Sequence, residues 1–131
     1  MMDIVIDTSA LLAVIVNEPE RGRVIELTTG HSLIGPGSIP WEVGNAFSAM
    51  LKRGQVTPER AARGVCVFDE IPIRYLRVDI AKAVAIAYRT RLYAYDAYFL
   101  ECALRYGAPL LTLDRKLFEA ARNQNVQVLE V

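Results

Sequence analysis

Short apolar runs alternate along the chain with longer stretches of helical periodicity. Ile4-Val5-Ile6 is β-branched and lacks alternation, the pattern of a strand covered on both faces. Asp7-Thr8-Ser9 follows at once, then an apolar helical stretch to Val16. Glu18-Pro19-Glu20 suits the first turn of a second helix ending near Thr29, because proline and acids favour the positive end of the helix dipole. Ser32-Leu33-Ile34 predicts a second strand. Ser38 and Pro40 open a helix carrying Trp41, Val43, Ala46, Phe47, Met50 and Leu51, stopped at Gly54. Thr57 is placed to cap the next helix, with Pro58 at its first position. Arg74 to Val78 reads as a strand, and Asp79 caps a helix to about Thr90. A helix from Ala94 to Tyr106 stops at Gly107 and Pro109. Leu110 to Leu113 is a strand; Asp114 and a helix to about Arg122 follow, and Val126 to Leu129 is the last strand. This alternation predicts an α/β fold, a parallel sheet of about five strands with helices on both faces. There is no internal repeat, so residues 1–131 are expected to form a single domain.

Composition narrows the classes. Apolar residues make up 53% and charged residues 23%, enough to bury a core. Fifteen basic residues balance fifteen acidic ones, which argues against a purely electrostatic nucleic-acid binder. Cys66 and Cys102 form no CxxC pair, and both are expected as small buried hydrophobes in a reduced compartment. The single His31 excludes a site that needs two histidines. The start lacks a basic region, and the apolar run Ala10–Val16 is only seven residues, too short to span a bilayer. A soluble, cytoplasmic protein is the expectation.

Four acids hold the candidate chemistry. Asp7 and Asp114 end strands directly, where carboxylates project into the crevice at the carboxyl edge of a parallel sheet. Glu42 and Asp96 sit near helix starts between apolar neighbours. Each alone is explained as a helix cap or a first-turn acid. Together they converge on one edge of the sheet. Two carboxylates about 5 Å apart repel by about 3 kcal/mol at an effective dielectric of about 20. Such a cluster protonates in part or holds a cation. Oxygen-only ligands select hard ions, Mg²⁺ or Mn²⁺. Hydrolysis of a phosphodiester by a metal-activated water is the reaction implied.

Four segments carry a resemblance. Ile4 to Ala13, Trp41-Glu42-Val43-Gly44-Asn45-Ala46-Phe47, Tyr95 to Leu100 and Leu111 to Leu117 resemble, in order, the four acidic motifs of the PIN-domain family. The small size resembles the VapC toxins of toxin–antitoxin pairs. The resemblance implies a three-layer α/β/α sandwich with strand order 3-2-1-4-5 and a Mg²⁺- or Mn²⁺-dependent endoribonuclease cutting RNA. It also implies a homodimer and a VapB-like antitoxin partner. Carried over by position, Asp7 and Asp96 are metal ligands, and Glu42 and Asp114 complete the quartet directly or through waters. Thr8 or Ser9 would place a hydroxyl beside the metal, Thr112 would orient Asp114, and Asn45 would bond a carboxylate or a substrate phosphate. A solitary PIN nuclease in RNA processing and a catalytically inactive binding module remain the alternatives.

Arg91, Arg115 and Lys116, with Arg89, are candidates for RNA phosphates, although such residues more often form a solvated face. Tyr93 and Tyr95 are candidates for base stacking. The other tyrosines and Trp41 are expected in the core or at an interface. A haloacid-dehalogenase-type phosphatase would need a second acid two residues after Asp7, where Ser9 stands. A receiver-like domain would need its acceptor on a middle strand and a late lysine, and has neither.

Overall fold

The computed structural model describes residues 1–131. Strands β1 (Asp3–Ile6), β2 (Ser32–Pro36), β3 (Ile73–Leu76) and β4 (Leu110–Leu111) form one parallel sheet in the order β3-β2-β1-β4. Val5 pairs with Ile34 on one side and Leu110 on the other. Ile4, Val5 and Ile6 are buried, as a central strand covered on both faces requires.

Between β1 and β2 run α1 (Thr8–Ile15) and α2 (Arg21–Thr28); between β2 and β3 run α3 (Ile39–Lys52) and α4 (Pro58–Glu70). These four pack on one another. From β3 the chain passes through α5 (Ile80–Thr90) and α6 (Ala94–Tyr106) and returns across β1 to reach β4; α7 (Arg115–Asn123) follows. Right-handed crossovers that first run one way and then reverse put the two helix sets on opposite faces. The reversal makes a topological switch point between β1 and β4, the place where open parallel sheets bind ligands. One core joins the layers, including Ile34, Leu11, Phe99, Leu100 and Leu117.

The strand count differs from expectation. Val126 to Leu129 forms only a bridge, Val128 with Leu110, held by Leu110 N–H to the Gln127 carbonyl at 2.8 Å and Leu129 N–H to the Leu110 carbonyl at 3.0 Å. β4 is two residues long, so it offers the last segment a single pairing position. The second helix begins at Arg21, because Glu18 to Arg21 closes a separate turn with a 3.0 Å bond. Thr57 and Asp79 cap α4 and α5 by accepting from Arg60 and Lys82 backbone N–H groups. Cys102 is buried but Cys66 is exposed. It lies two residues from both Gly64 and Phe68, on the side of α4 opposite its buried stripe.

Candidate active site

Asp7 follows β1 and is 4% exposed, the most buried of the four acids. Its backbone N–H reaches the Leu111 carbonyl at 3.1 Å, which fixes the end of β1 against β4. Its carboxylate caps α1, with Oδ1 accepting from Ala10 N–H at 3.1 Å and from Ser9 Oγ at 2.6 Å. Oδ2 accepts from Thr112 Oγ1 at 2.5 Å. Burial raises Asp7 to about 6, against the lowering effect of these bonds from Ser9, Thr112 and Ala10; the charge of Asp114 adds to the rise.

Glu42 lies in the first turn of α3, half-buried. Ser38 Oγ donates to its Oε2 at 2.7 Å and Thr8 Oγ1 to its Oε1 at 3.2 Å. Its pKa is raised by burial, opposed by Ser38 and Thr8, and raised further by Asp7 and Asp96. Asp96, in the first turn of α6, is raised by burial and by Asp114, with Lys116 pulling the other way. Asp114 is exposed, and its Oδ1 caps α7 by accepting from Leu117 N–H at 3.1 Å. Asp7 and Asp114 thus both cap helices, as the helix-cap reading expects.

The electrostatic couplings close a ring. Asp7 feels Asp114, Asp114 acts on Asp96, and Glu42 feels both Asp7 and Asp96. Residues up to 107 positions apart in sequence thus share one negative field at the switch point of the sheet. The acids do not converge on a common point, since no group of three His, Cys, Asp or Glu side chains is spaced to close around an ion. The donor set nonetheless fits a hard divalent cation. Every donor is oxygen, and Mg²⁺ keeps several waters and takes few carboxylates. Asp7 and Asp96 would be the residues to hold it, with Glu42 and Asp114 completing the set directly or through waters.

The supporting hydroxyls bond the acids. Thr112 directs its hydroxyl to Asp7, and touches Asp114 only by accepting that residue's backbone N–H at 3.0 Å. Ser9 and Thr8 donate to Asp7 and Glu42, so their hydroxyls orient carboxylates. Ser38, read from sequence only as part of a helix start, is the partner of Glu42. Its position four residues before an acid at a helix start was the available signal.

A cavity of about 670 Å³ opens beside the acids, lined by Thr8, Glu42, Asn45, Asp96 and the aromatics Trp41, Tyr93 and Tyr95. Trp41 is 76% exposed, so it is no core anchor: it lies two residues from both Ile39 and Val43, opposite the buried stripe of α3. Tyr88, expected in the core or at an interface, is also exposed, so it is not in the core. Asn45 is exposed on α3. Among the candidate cations, Lys116 lies within electrostatic reach of Asp96. Arg115 instead pairs with Glu119 at 3.0 Å and stacks over the Phe118 ring. Arg91 ends α5 in a left-handed conformation, φ 59°, and lines a different cavity with Ala87 and Leu92. His31 accepts from Met2 N–H at 3.1 Å through Nδ1, a structural contact.

The fold and the acids define an α/β protein whose polar crevice lies at the switch point of a parallel sheet. The chain belongs to the PIN domain family, whose model matches residues 4–123. No curated protein matches its sequence. Solved structures share the fold at low identity. The crystal structure of PAE2754 from Pyrobaculum aerophilum superposes with a TM-score of 0.72 at 21% identity, covering 97% of this chain and 83% of that one. VapBC2 from Rickettsia felis, bound to a promoter DNA fragment, gives 0.65 at 15% identity and 98% coverage of both chains. VapBC-1 from nontypeable Haemophilus influenzae gives 0.63 at 17% identity, covering 99% and 98%. No helix is long and apolar enough to cross a membrane.

Proposed function

We propose that this chain is a metal-dependent endoribonuclease, the toxin of a VapBC-type toxin–antitoxin pair, working as a single PIN unit in the cytoplasm. The observation that carries the reading is geometric: Ser9 and Thr112 hold the Asp7 carboxylate at the end of β1, Thr8 and Ser38 hold that of Glu42, and Asp96 lines the same cavity as Glu42 and Thr8. The likeness in fold to VapBC proteins supports the toxin assignment and a VapB-like antitoxin partner; assembly as a homodimer belongs to the same reading.

In this reading Asp7 and Asp96 would hold Mg²⁺ or Mn²⁺, with Glu42 and Asp114 completing the set directly or through waters. When bound, such an ion supplies Lewis acidity at the phosphodiester and makes the attacking water easier to deprotonate. The rest falls to the chain. Ser9 and Thr112 fix both oxygens of Asp7, and Thr8 and Ser38 fix both of Glu42, so the carboxylates are oriented before substrate arrives. Lys116, whose charge acts on Asp96, is the leading candidate to meet a substrate phosphate. Arg91 and Arg115 are weaker candidates for that role.

RNA incubated with the protein and Mg²⁺ or Mn²⁺ tests the proposal. Cleavage is expected with either ion and none in EDTA, and Asp96→Asn is expected to lower the rate about 100-fold or more. Expression of the wild type should arrest growth, and the variant should not. Cleavage at equal rates in wild type and Asp96→Asn, or no cleavage by either, contradicts it.

A further inference from the structure

A second cavity of about 670 Å³ lies between α5 and α6 and shares no lining residue with the one beside the acids. Lys82, Ile86 and Arg89 reach it from one face of α5, because positions four and seven apart fall one and two turns along a helix. Glu101, Leu104 and Arg105 reach it from one face of α6 in the same way.

The charges of this cavity are unbalanced. Three cations meet one carboxylate, in a chain whose fifteen basic and fifteen acidic residues cancel. Glu101 is buried, and its Oε2 accepts from Asp79 N–H at 2.9 Å, which ties it to the start of α5. Arg105 stands four residues after Glu101, the spacing of a helical ion pair, yet the two do not pair. Lys82 and Arg89 form no ion pair either; those of the molecule join Arg23 to Glu26, Arg74 to Asp3 and Arg115 to Glu119. Arg89 donates instead to the neutral Gln124 amide oxygen at 3.1 Å, and Arg105 lies over the Tyr106 ring, 5.9 Å from its centre. All three cations are exposed. Like charges gathered round a concave surface repel one another, and a bound anion relieves that repulsion.

Guanidinium groups meet phosphate oxygens in pairs, and an ammonium adds a point charge beside them. Three cations against one carboxylate leave two positive charges, the complement of a phosphate dianion or a diphosphate. Ile86 and Leu104 add apolar surface for an uncharged body, and the volume is that of a small-molecule site. We propose that the cavity between α5 and α6 is a second ligand site, taking a small phosphorylated molecule whose phosphate oxygens are held by Lys82, Arg89 and Arg105. The site uses no metal and none of the four acids, so it stands or falls apart from the nuclease reading.

Calorimetric titration of the intact, metal-free protein with sodium pyrophosphate tests it. One pyrophosphate per chain is expected to bind, with a dissociation constant of about 100 μM or below. Lys82→Gln and Arg105→Gln should each weaken it about 10-fold, and about 0.5 M sodium chloride should weaken it too. Both residues are exposed, so the variants are expected to fold, and circular dichroism checks them. Lys116→Ala, altered beside the acids, should bind as wild type does. ADP carries the diphosphate on an organic body: tighter binding than pyrophosphate assigns the apolar surface to that body, and equal binding assigns the site to the phosphates alone. No binding by wild type, equal binding by Lys82→Gln and Arg105→Gln, or loss in Lys116→Ala overturns the proposal. Arg105→Gln that weakens a single-stranded RNA of about ten nucleotides but not pyrophosphate overturns it too, and assigns these cations to an RNA backbone.

Discussion

Thr112 Oγ1 donates to Asp7 Oδ2 at 2.5 Å, joining the segment after β4 to the end of β1 across 105 residues of sequence. The same hydroxyl accepts the Asp114 backbone N–H at 3.0 Å and lies 3.4 Å from Ser9 Oγ. One buried hydroxyl thus ties the acid at the end of β1 to the segment that leads from β4 to Asp114. Thr112→Val keeps the shape and removes the bonds, so it should destabilise the metal-free protein by about 1–3 kcal/mol. Thr112→Ser should recover most of the loss. Urea midpoints at unchanged slope measure both. A valine variant as stable as wild type contradicts the assignment.

Asp7 gives a pH dependence with a definite sign. It titrates at 3.8 when unfolded and at about 6 when folded, chiefly because burial disfavours the charge. A folded value above the unfolded one means that ionisation costs stability. The contribution is complete below about 3.8 and is lost as the pH climbs through about 6. The gap corresponds to about 3 kcal/mol. Asp7→Asn keeps an acceptor for the Ala10 N–H and cannot ionise. Melting in EDTA should therefore show the variant gaining on wild type as the pH rises from about 4 to about 7. A variant that falls behind wild type over that range would show that Asp7 acts as a cap alone.

The two cysteines should behave oppositely. Burial pushes the Cys102 thiol up to about 12, with Glu101 adding to the effect, whereas Cys66 is exposed on α4. A thiol-specific reagent at mildly alkaline pH should label one site per folded chain and two after denaturation. Rapid labelling of Cys102 in the native protein would contradict the packing around α6.

Gly64 tests the contact between α3 and α4. A Cβ at Gly64 would lie 2.4 Å from Phe47 Cζ and 2.8 Å from its Cε1, and Phe47 is buried. Gly64→Ala should cost about 1–3 kcal/mol through overpacking, despite alanine's better helix propensity. Thermal unfolding of the variant decides it, and an increase in stability would mean the ring has room to move.

Much of this was legible because it is local. A β-branched run with no alternation marks β1 as doubly covered, and the strand-end position of Asp7 follows from chain order alone; Asp114, expected directly at a strand end, lies three residues past the two-residue β4. Thr57-Pro58 and Asp79 announce helix starts through capping chemistry that acts within three residues. The exposure of Trp41 and Cys66 was also within reach, since each lies two residues from its buried neighbours, about 200° round the helix. What the sequence could not show depends on distance. That the Thr112 hydroxyl reaches the Asp7 carboxylate, 105 residues away in sequence, is set by where β4 lies against β1. The final segment has strand composition, but how much of it pairs depends on the length of β4.

The account stands on four separated carboxylates acting as one electrostatic unit that a hard divalent ion stabilises. Calorimetric titration of Mn²⁺ into wild type, Asp96→Asn and Arg115→Ala reads this with no RNA present. The prediction is saturable binding to wild type and to Arg115→Ala, with affinity at least about 10-fold weaker in Asp96→Asn. No binding by wild type, or equal binding by Asp96→Asn, would contradict it.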